Sequence, residues 1–358
     1  MSKAAELAAL IGSQTALSHR NLIINGAMQV AQRGTSSTGI TSASYPTCDR
    51  WYFNISSAGT WTVSQSTDAP AGSGFTNSFK ADCTTADSSL DSADTIQFQQ
   101  RFEGQDLQQL KYGTSSAEKI TLSFWVKATK TGTNVLMLYQ DDAADMINAQ
   151  YTINASNTWE YKTLTFVGNT GDVITNDNTR GFICIWHLAA GSSRTSGSIM
   201  DTWGAYTTAN EAVGQVNHAD STSNTWQITG VQLEIGEQAT PFEHRSYGDE
   251  LAACQRYYYR SPQEANGEPF IVYFANGGIT GTTNFPVTMR AIPTVAYGWS
   301  TPYTGNTFAN LGSGAVSTWT LTQNQVTRSR ICNIYDSGKS GLTLGDAYAT
   351  HLDADSEL

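Results

Sequence analysis

The chain has 358 residues, only 14% of them charged, and a formal net charge of −11. That length suffices for two domains with separate cores. Acidity without any Lys/Arg cluster argues against a nucleic-acid partner, and no apolar run approaches the roughly 20 residues that cross a bilayer as a helix. Thr, Ser, Asn, Gln and Gly stand where charged residues usually stand, a turn-rich composition suited to strands with a neutral polar surface.

At the N-terminus, Lys3 is followed by Glu6 and Gln14, which interrupt the apolar face, so there is no continuous core of a secretory signal. Residues 3–17 nevertheless have helical spacing: Leu7, Leu10, Gln14 and Leu17 recur at intervals of three and four. The run is too short to hold a coiled coil alone. It reads either as a small amphipathic helix packed on a neighbour or as an attachment element, with Leu7, Leu10 and Leu17 as its contact residues.

From Asn21 the period changes to two. Asn21-Leu-Ile-Ile-Asn25-Gly26 reads as an apolar strand stopped by Asn-Gly. Aromatic strands begin at Trp51 and at Thr60. Thr121–Lys127 and Val135–Tyr139, separated by Thr-Gly-Thr-Asn, read as a hairpin, and Trp159–Val167, Gly181–Trp186 and Thr225–Glu234 as further strands. After Glu243, residues 249–255 read as a short helix with acids in its first turn, and Tyr257–Arg260 as a strand. The remaining chain alternates again, at Phe270–Phe274, Gly278–Val287, Thr294–Trp299, Thr318–Leu321 and Ser329–Tyr335. Many short strands with polar loops predict an all-β protein: a short N-terminal helix, a jelly-roll β-sandwich, then a second, smaller β-sandwich.

Signals for catalysis are weak. The five cysteines, at 48, 83, 184, 254 and 332, form no CxxC pair and read as scattered buried thiols. Asp141, Asp142 and Asp145 lack the spacing of a glycosidase pair or an EF-hand and read as a solvated turn. The five histidines lie far apart; His187 beside Trp186 reads as a hydrogen-bonded core residue and His244 as a polar surface or interface residue. Nine Trp and sixteen Tyr are many for this length. Trp51, Trp61, Trp125, Trp159 and Trp186 sit on alternating strands and read as core. Trp203 and Tyr206 lie in a loop that is not strand-like, and the stretch 297–306, with Tyr297, Trp299 and Tyr303, is a second candidate for exposed ring faces that can stack on sugars.

Three stretches carry a resemblance: Gln232-Leu233-Glu234-Ile235-Gly236, Ala239-Thr240-Pro241-Phe242-Glu243 and Cys254-Gln255-Arg256-Tyr257-Tyr258. At this spacing the run resembles a junction that recurs in tail-fibre and other virion surface proteins of tailed bacteriophages. Asn21–Gly26, Leu122–Ala128 and Ile228–Glu234 resemble the opening, central and closing strands of jelly rolls of the carbohydrate-binding-module type. Asn284-Phe-Pro286-Val-Thr-Met289-Arg290-Ala-Ile-Pro293-Thr294-Val295 resembles a motif of distal tail-fibre domains, and its prolines place it at a strand end or sheet edge.

These resemblances imply an attachment segment over residues 1–20, a jelly roll over 21–243, a helix–strand junction over 244–260 and a C-terminal β-sandwich over 261–358. They imply a phage virion protein, made in the host cytoplasm and carried on the tail: a tail-fibre or receptor-binding subunit that adheres to host surface glycans without catalysis. The alternative is a purely structural fibre or a head or tail decoration protein without glycan binding. A depolymerase of the β-helix kind would show internal repeats, and none is present. Fibre proteins imply a parallel homotrimer joined through the N-terminal helix and the Tyr257–Tyr259 region, with other tail proteins meeting the N-terminus and the glycan contact, Tyr297, Trp299 and Tyr303, placed distally. In many relatives an acidic residue and an aromatic follow the opening Asn-Gly and calcium binds nearby. Here Ala27-Met28-Gln29 follow, so neither a metal at that place nor a cofactor is expected.

Overall fold

The computed structural model describes residues 19–261, 270–275, 278–280, 282–298, 307–311, 313, 315–318, 323–335 and 347–358. The expected N-terminal helix with Leu7, Leu10 and Leu17, and the residues Trp299 and Tyr303, lie outside them. The chain forms two compact units, Met1–Tyr247 and Gly248–Glu357, and both are built of strands.

In unit 1 the strands are β1 (Ser36–Ser44), β2 (Trp51–Ser66), β3 (Ser78–Thr85), β4 (Thr95–Glu103), β5 (Ile120–Ala128), β6 (Gly132–Gln140), β7 (Asp145–Ile153), β8 (Glu160–Phe166), β9 (Arg180–Ala190), β10 (Gly204–Ala205) and β11 (Thr225–Ile235). They form one hydrogen-bonded sheet in the order β10-β7-β6-β9-β4-β2-β3-β11-β5-β8, with β1 paired on β2. The sheet curls so that its halves face each other across a common core, as a jelly roll does. Phe124 of β5 lies 5.7 Å, ring to ring, from Trp186 of β9 and 5.2 Å from Tyr151 of β7, and Trp226 of β11 lies 5.4 Å from Phe98 of β4. Trp51, Trp61, Trp186 and Trp226 are fully buried.

Two sequence expectations change here. Thr121–Lys127 and Val135–Tyr139 are not a hairpin: β5 pairs with β8 and β11, whereas β6 pairs with β7 and β9. The short link carries the chain from one half of the curled sheet to the other, because each of these strands finds its apolar partners elsewhere. Asn21–Gly26 is not a ladder strand, and it bends over Ile24–Gly26. It is tied to β11 by Leu22 N donating to Leu233 O at 2.9 Å and by the Asn21 side chain, which donates to Val231 O and accepts from Leu233 N.

A helix over Tyr247–Gln255 stands between the two sandwiches in sequence. Unit 2 then holds β12 (Tyr258–Arg260), β13 (Phe270–Ala275), β14 (Gly278–Thr280), β15 (Thr283–Asn284), β16 (Thr294–Gly298), β17 (Thr307–Asn310), β18 (Val316–Thr318), β19 (Gln323–Val326), β20 (Arg330–Tyr335) and β21 (Ala347–Asp355). β21 organises the unit. Its first half lies between β13 and β17 and its second half between β12 and β16. β15, β20 and β19 form a separate small sheet. Pro286 follows β15 and Pro293 precedes β16, positions that need no ladder donor.

Candidate functional site

On β5, the residues Ile120, Leu122, Phe124, Val126 and Ala128 point into the core, so Thr121, Ser123, Trp125 and Lys127 form the outer face. Trp125 pairs with Tyr161 of β8, and the two ring centroids lie 5.4 Å apart. Tyr161 is 45% exposed. These rings, with Ser123 and Gly230, floor a cleft of about 380 Å³ whose walls include Ser73, Phe75, Pro241, Phe242 and His244.

Each wall has a physical cause. The loop between β2 and β3 is latched onto the sheet: Asp68 accepts from the Lys127 ammonium and from Trp159 Nε1 at 3.2 Å. Burial alone would raise the Asp68 carboxyl, but Lys127 and Trp159 hold it below its ordinary value. The loop returns beside β11, where Thr229 Oγ1 donates to Asn77 O at 2.6 Å. On the other side, Glu234 accepts from Thr240 N at 2.8 Å and from Thr240 Oγ1 at 2.6 Å, and Gln232 Oε1 accepts from Glu243 N at 2.8 Å. The Gln232-Leu-Glu234 and Thr240–Glu243 stretches singled out in the sequence thus act together: two outward polar side chains of β11 fold the exit segment back over the sheet. The walls meet where Phe75 packs on Phe242 at 4.9 Å and on His244 at 5.4 Å, and Phe242 packs on His244 at 4.9 Å.

No carboxylate, lysine or arginine is among the cleft's lining residues. It offers ring faces, two serine hydroxyls and an imidazole, a set suited to holding an uncharged polar ligand by stacking and hydrogen bonds.

No protein-family model and no curated protein sequence matches the chain. Solved structures do. The chain is similar to the enzymatically active domain of tailspike protein 4 of bacteriophage CBA120, at 15% identity and a TM-score of 0.31 over 61% of this chain and 22% of that one. It is similar to the carbohydrate-binding module TmCBM61 in complex with β-1,4-galactotriose, at 11% identity and a TM-score of 0.30 over 61% of this chain and all of that one. The tripod from the baseplate of bacteriophage Tuc2009 overlaps 75% of this chain and 84% of its own, at 12% identity and a TM-score of 0.28.

Of the described residues expected to bind from sequence, Trp203 and Tyr206 do not line one site. Tyr297 is 1% exposed, and its ring packs on Phe308 in the core of unit 2. It lies within β16 rather than in a loop, and it is withdrawn as a stacking residue. Trp203 packs against Tyr112 and Phe182 and donates Nε1 to Val167 O at 2.7 Å. It lines a second depression of about 640 Å³ with Asp145, Asn169 and Asp172. Tyr206 is 37% exposed but is not among that depression's lining residues. Its hydroxyl donates to Glu211, which Arg194 also holds.

Other readings are corrected too. Asp141 accepts two bonds from Arg180, at 3.0 and 2.8 Å, and Asp142 accepts from Thr175 N. Asp142 is exposed and Asp141 half-buried on a turn, in keeping with a solvated turn, whereas Asp145 is buried and accepts from Asn169 Nδ2 at 3.0 Å. His187 is buried, yet neither ring nitrogen has a partner. Cys48, Cys83, Cys184 and Cys254 are buried thiols, as expected.

Trp125 is half-buried on the outer face and Trp159 is half-buried beside Asp68, so neither is a core residue. Sequence reasoning thus missed the cleft. The signal was present for Trp125, whose phase opposes that of Leu122, Phe124 and Val126. Tyr161 becomes visible only once β8 is known to pair with β5. Phe75 sits in a loop and gave no signal.

Proposed function

We propose that this chain is a surface protein of a tailed phage virion, a tail-fibre or receptor-binding subunit that holds host surface glycan non-covalently through the cleft of unit 1. The observation that carries the reading is the Trp125–Tyr161 ring pair flooring a cleft without charged lining residues. A sugar ring presents a flat C–H face that stacks on such rings, while hydroxyls and the imidazole satisfy its polar edge. Adhesion of this kind needs no catalytic group. A single site is weak, and a homotrimer on the tail, meeting other tail proteins through the N-terminal segment, supplies avidity. Trp203 is a secondary candidate contact; Trp299 and Tyr303 remain proposed contacts of the distal unit, without Tyr297.

The test is binding of the full-length protein to host cells and to a glycan array, with Trp125→Ala alongside. Binding that is present for the parent protein and lost for a folded Trp125→Ala supports the reading. A parent protein that binds no glycan points instead to a spacer or decoration role. Light scattering checks the trimer: a monomer mass for the full-length chain at micromolar concentration argues against it.

A further inference from the structure

The cleft is closed on three sides, and we infer that it takes the end of a glycan chain, a terminal sugar residue, and not an internal stretch. This rests on the glycan reading above and adds the form of the ligand. At the Lys127 end of β5 the cleft is shut by the Asp68 latch. There the Lys127 ammonium meets the Asp68 carboxylate, lies 5.4 Å from the centre of the Trp159 ring, and the same carboxylate accepts from the Trp159 indole. At the opposite end the exit segment crosses the sheet, pinned by Thr240 to Glu234 and by Glu243 to Gln232. Gln232 stands opposite Ser123 and Glu234 opposite Thr121, so this barrier lies one strand step beyond the floor residue Ser123. The third side, over β11, is sealed by Phe75 against Gly230 and by the Phe75–Phe242–His244 contacts that join the two barriers. Among the described residues, none of these barriers extends over the β8 side. β8 is the last strand of the sheet, and it presents the exposed residues Tyr161, Thr163 and Thr165 there.

The dimensions agree. Between Ser123 and Trp125 the strand advances about 7 Å, room on the floor for one sugar ring along the strand direction. A long polysaccharide lying along β5 meets a barrier at both ends. A chain entering over Tyr161 places its terminal ring on Trp125 and leaves the rest of the polymer over the sheet edge, free of the protein. Lys127 and Asp68 pair with each other in the end wall, and no Asp, Glu, Lys or Arg is among the residues lining the cleft, so the terminal residue it suits is a neutral hexose or an N-acetylated hexosamine, not a uronic acid.

The test compares ends with length. The full-length protein is first screened against neutral polysaccharides with β-1,4-linked glucose, galactose, mannose or N-acetylglucosamine backbones, together with polysaccharide purified from the host surface. A bound polymer is then partly cut by limited acid hydrolysis, and the binding capacity per gram is measured by depletion before and after. End recognition requires the capacity to rise in proportion to the number of new chain ends, and calorimetric titration of short and long fragments to give one binding event per chain whatever its length. Trp125→Ala must abolish the signal, which locates it in the cleft. Capacity that follows the number of sugar residues, with sites per chain growing with length, overturns end recognition and leaves the glycan reading standing. No binding to any of these polymers overturns both.

Discussion

The edge of the Phe75 ring rests on the backbone of Gly230: a Cβ placed on that glycine would lie 2.6 Å from Phe75 Cζ and 2.7 Å from Cε2. Gly230 also has a φ of +61°, a left-handed conformation that costs a side-chain-bearing residue about 1–2 kcal/mol. Space and backbone thus both require glycine at the point where the wall of the cleft meets its floor.

Gly230→Ala is therefore expected to lower stability by about 1–2 kcal/mol and to push Phe75 off the sheet. Denaturant unfolding reads the first effect. The second should appear as weakened glycan binding by protein that is still folded. Full binding at unchanged stability would show that the wall is not seated on this glycine.

Trp125 and Trp226 lie on neighbouring strands, one outside the sheet and one inside. Trp226→Ala should cost about 3–5 kcal/mol of folding stability. Trp125→Ala should leave the melting temperature nearly unchanged and weaken glycan binding by about 1–3 kcal/mol. Melting curves and cell-binding curves on the two variants form a cross-check; equal destabilisation by both would place Trp125 among the structural residues.

The jelly roll was legible in the alternation of its strong strands, at Thr121, at Thr225 and over Trp51–Ser66, which is one strand where the sequence suggested two. The pairing was not. A short link between Thr121–Lys127 and Val135–Tyr139 looks like a hairpin because proximity in sequence is visible and the choice between two sheet halves is not. Strands with few large apolar residues, such as Ser36–Ser44 and Ser78–Thr85, gave too weak a pattern to find. β4 and β7 escaped for another reason: Gln100 stands in phase with the inward Ile96, Phe98 and Phe102, and Met146 stands in phase with the outward Asn148, so polar and apolar residues each break the alternation. The cleft was half legible. Trp125 betrays its outward phase, and the Gln232–Glu243 stretch stood out, but its role as a wall depends on side-chain hydrogen bonds that no spacing announces.

Acid should unfold this protein early. His187 and His218 are both fully buried, and burial draws their pKa values from 6.5 down to about 3. The unfolded chain therefore binds protons that the folded chain refuses between those two values. Stability is fully present above pH 6.5 and falls as pH drops toward 3, by about 1.4 kcal/mol per unit for each histidine. Glu160 adds to the loss below its ordinary pKa of 4.5: burial alone would raise it, but Lys162 and the amides of Ala155 and Asn154 hold it at about 2. Thermal melts across this range should show a steady fall, with a shallower slope in His187→Leu. A melting temperature that stays constant down to pH 4 would contradict the assignment.

A chelator should not move the melting temperature. Beside the Asn25-Gly26 turn, the Asn25 amide donates to Val30 O at 2.8 Å and to Asp49 O at 3.0 Å. The Asp49 carboxylate accepts from Gln32 N at 3.0 Å and lies 4.0 Å from Arg33. Donors of the protein itself occupy these oxygens. Melts in EDTA and in millimolar calcium should superpose, and a large drop in EDTA would show a metal that this arrangement does not predict.

The place of β21 sets the order in which unit 2 can be made. Residues 347–355 supply the pairing partner of β12, β13, β16 and β17, all of which leave the ribosome earlier. Until that last strand emerges, four strands wait with unpaired edges, the condition that invites pairing with another chain. Termination between residues 260 and 347, past the jelly roll but before β21, should therefore yield a protein whose jelly roll folds while its second unit aggregates. The pairing of four strands therefore hangs on a single one that is synthesised after all of them.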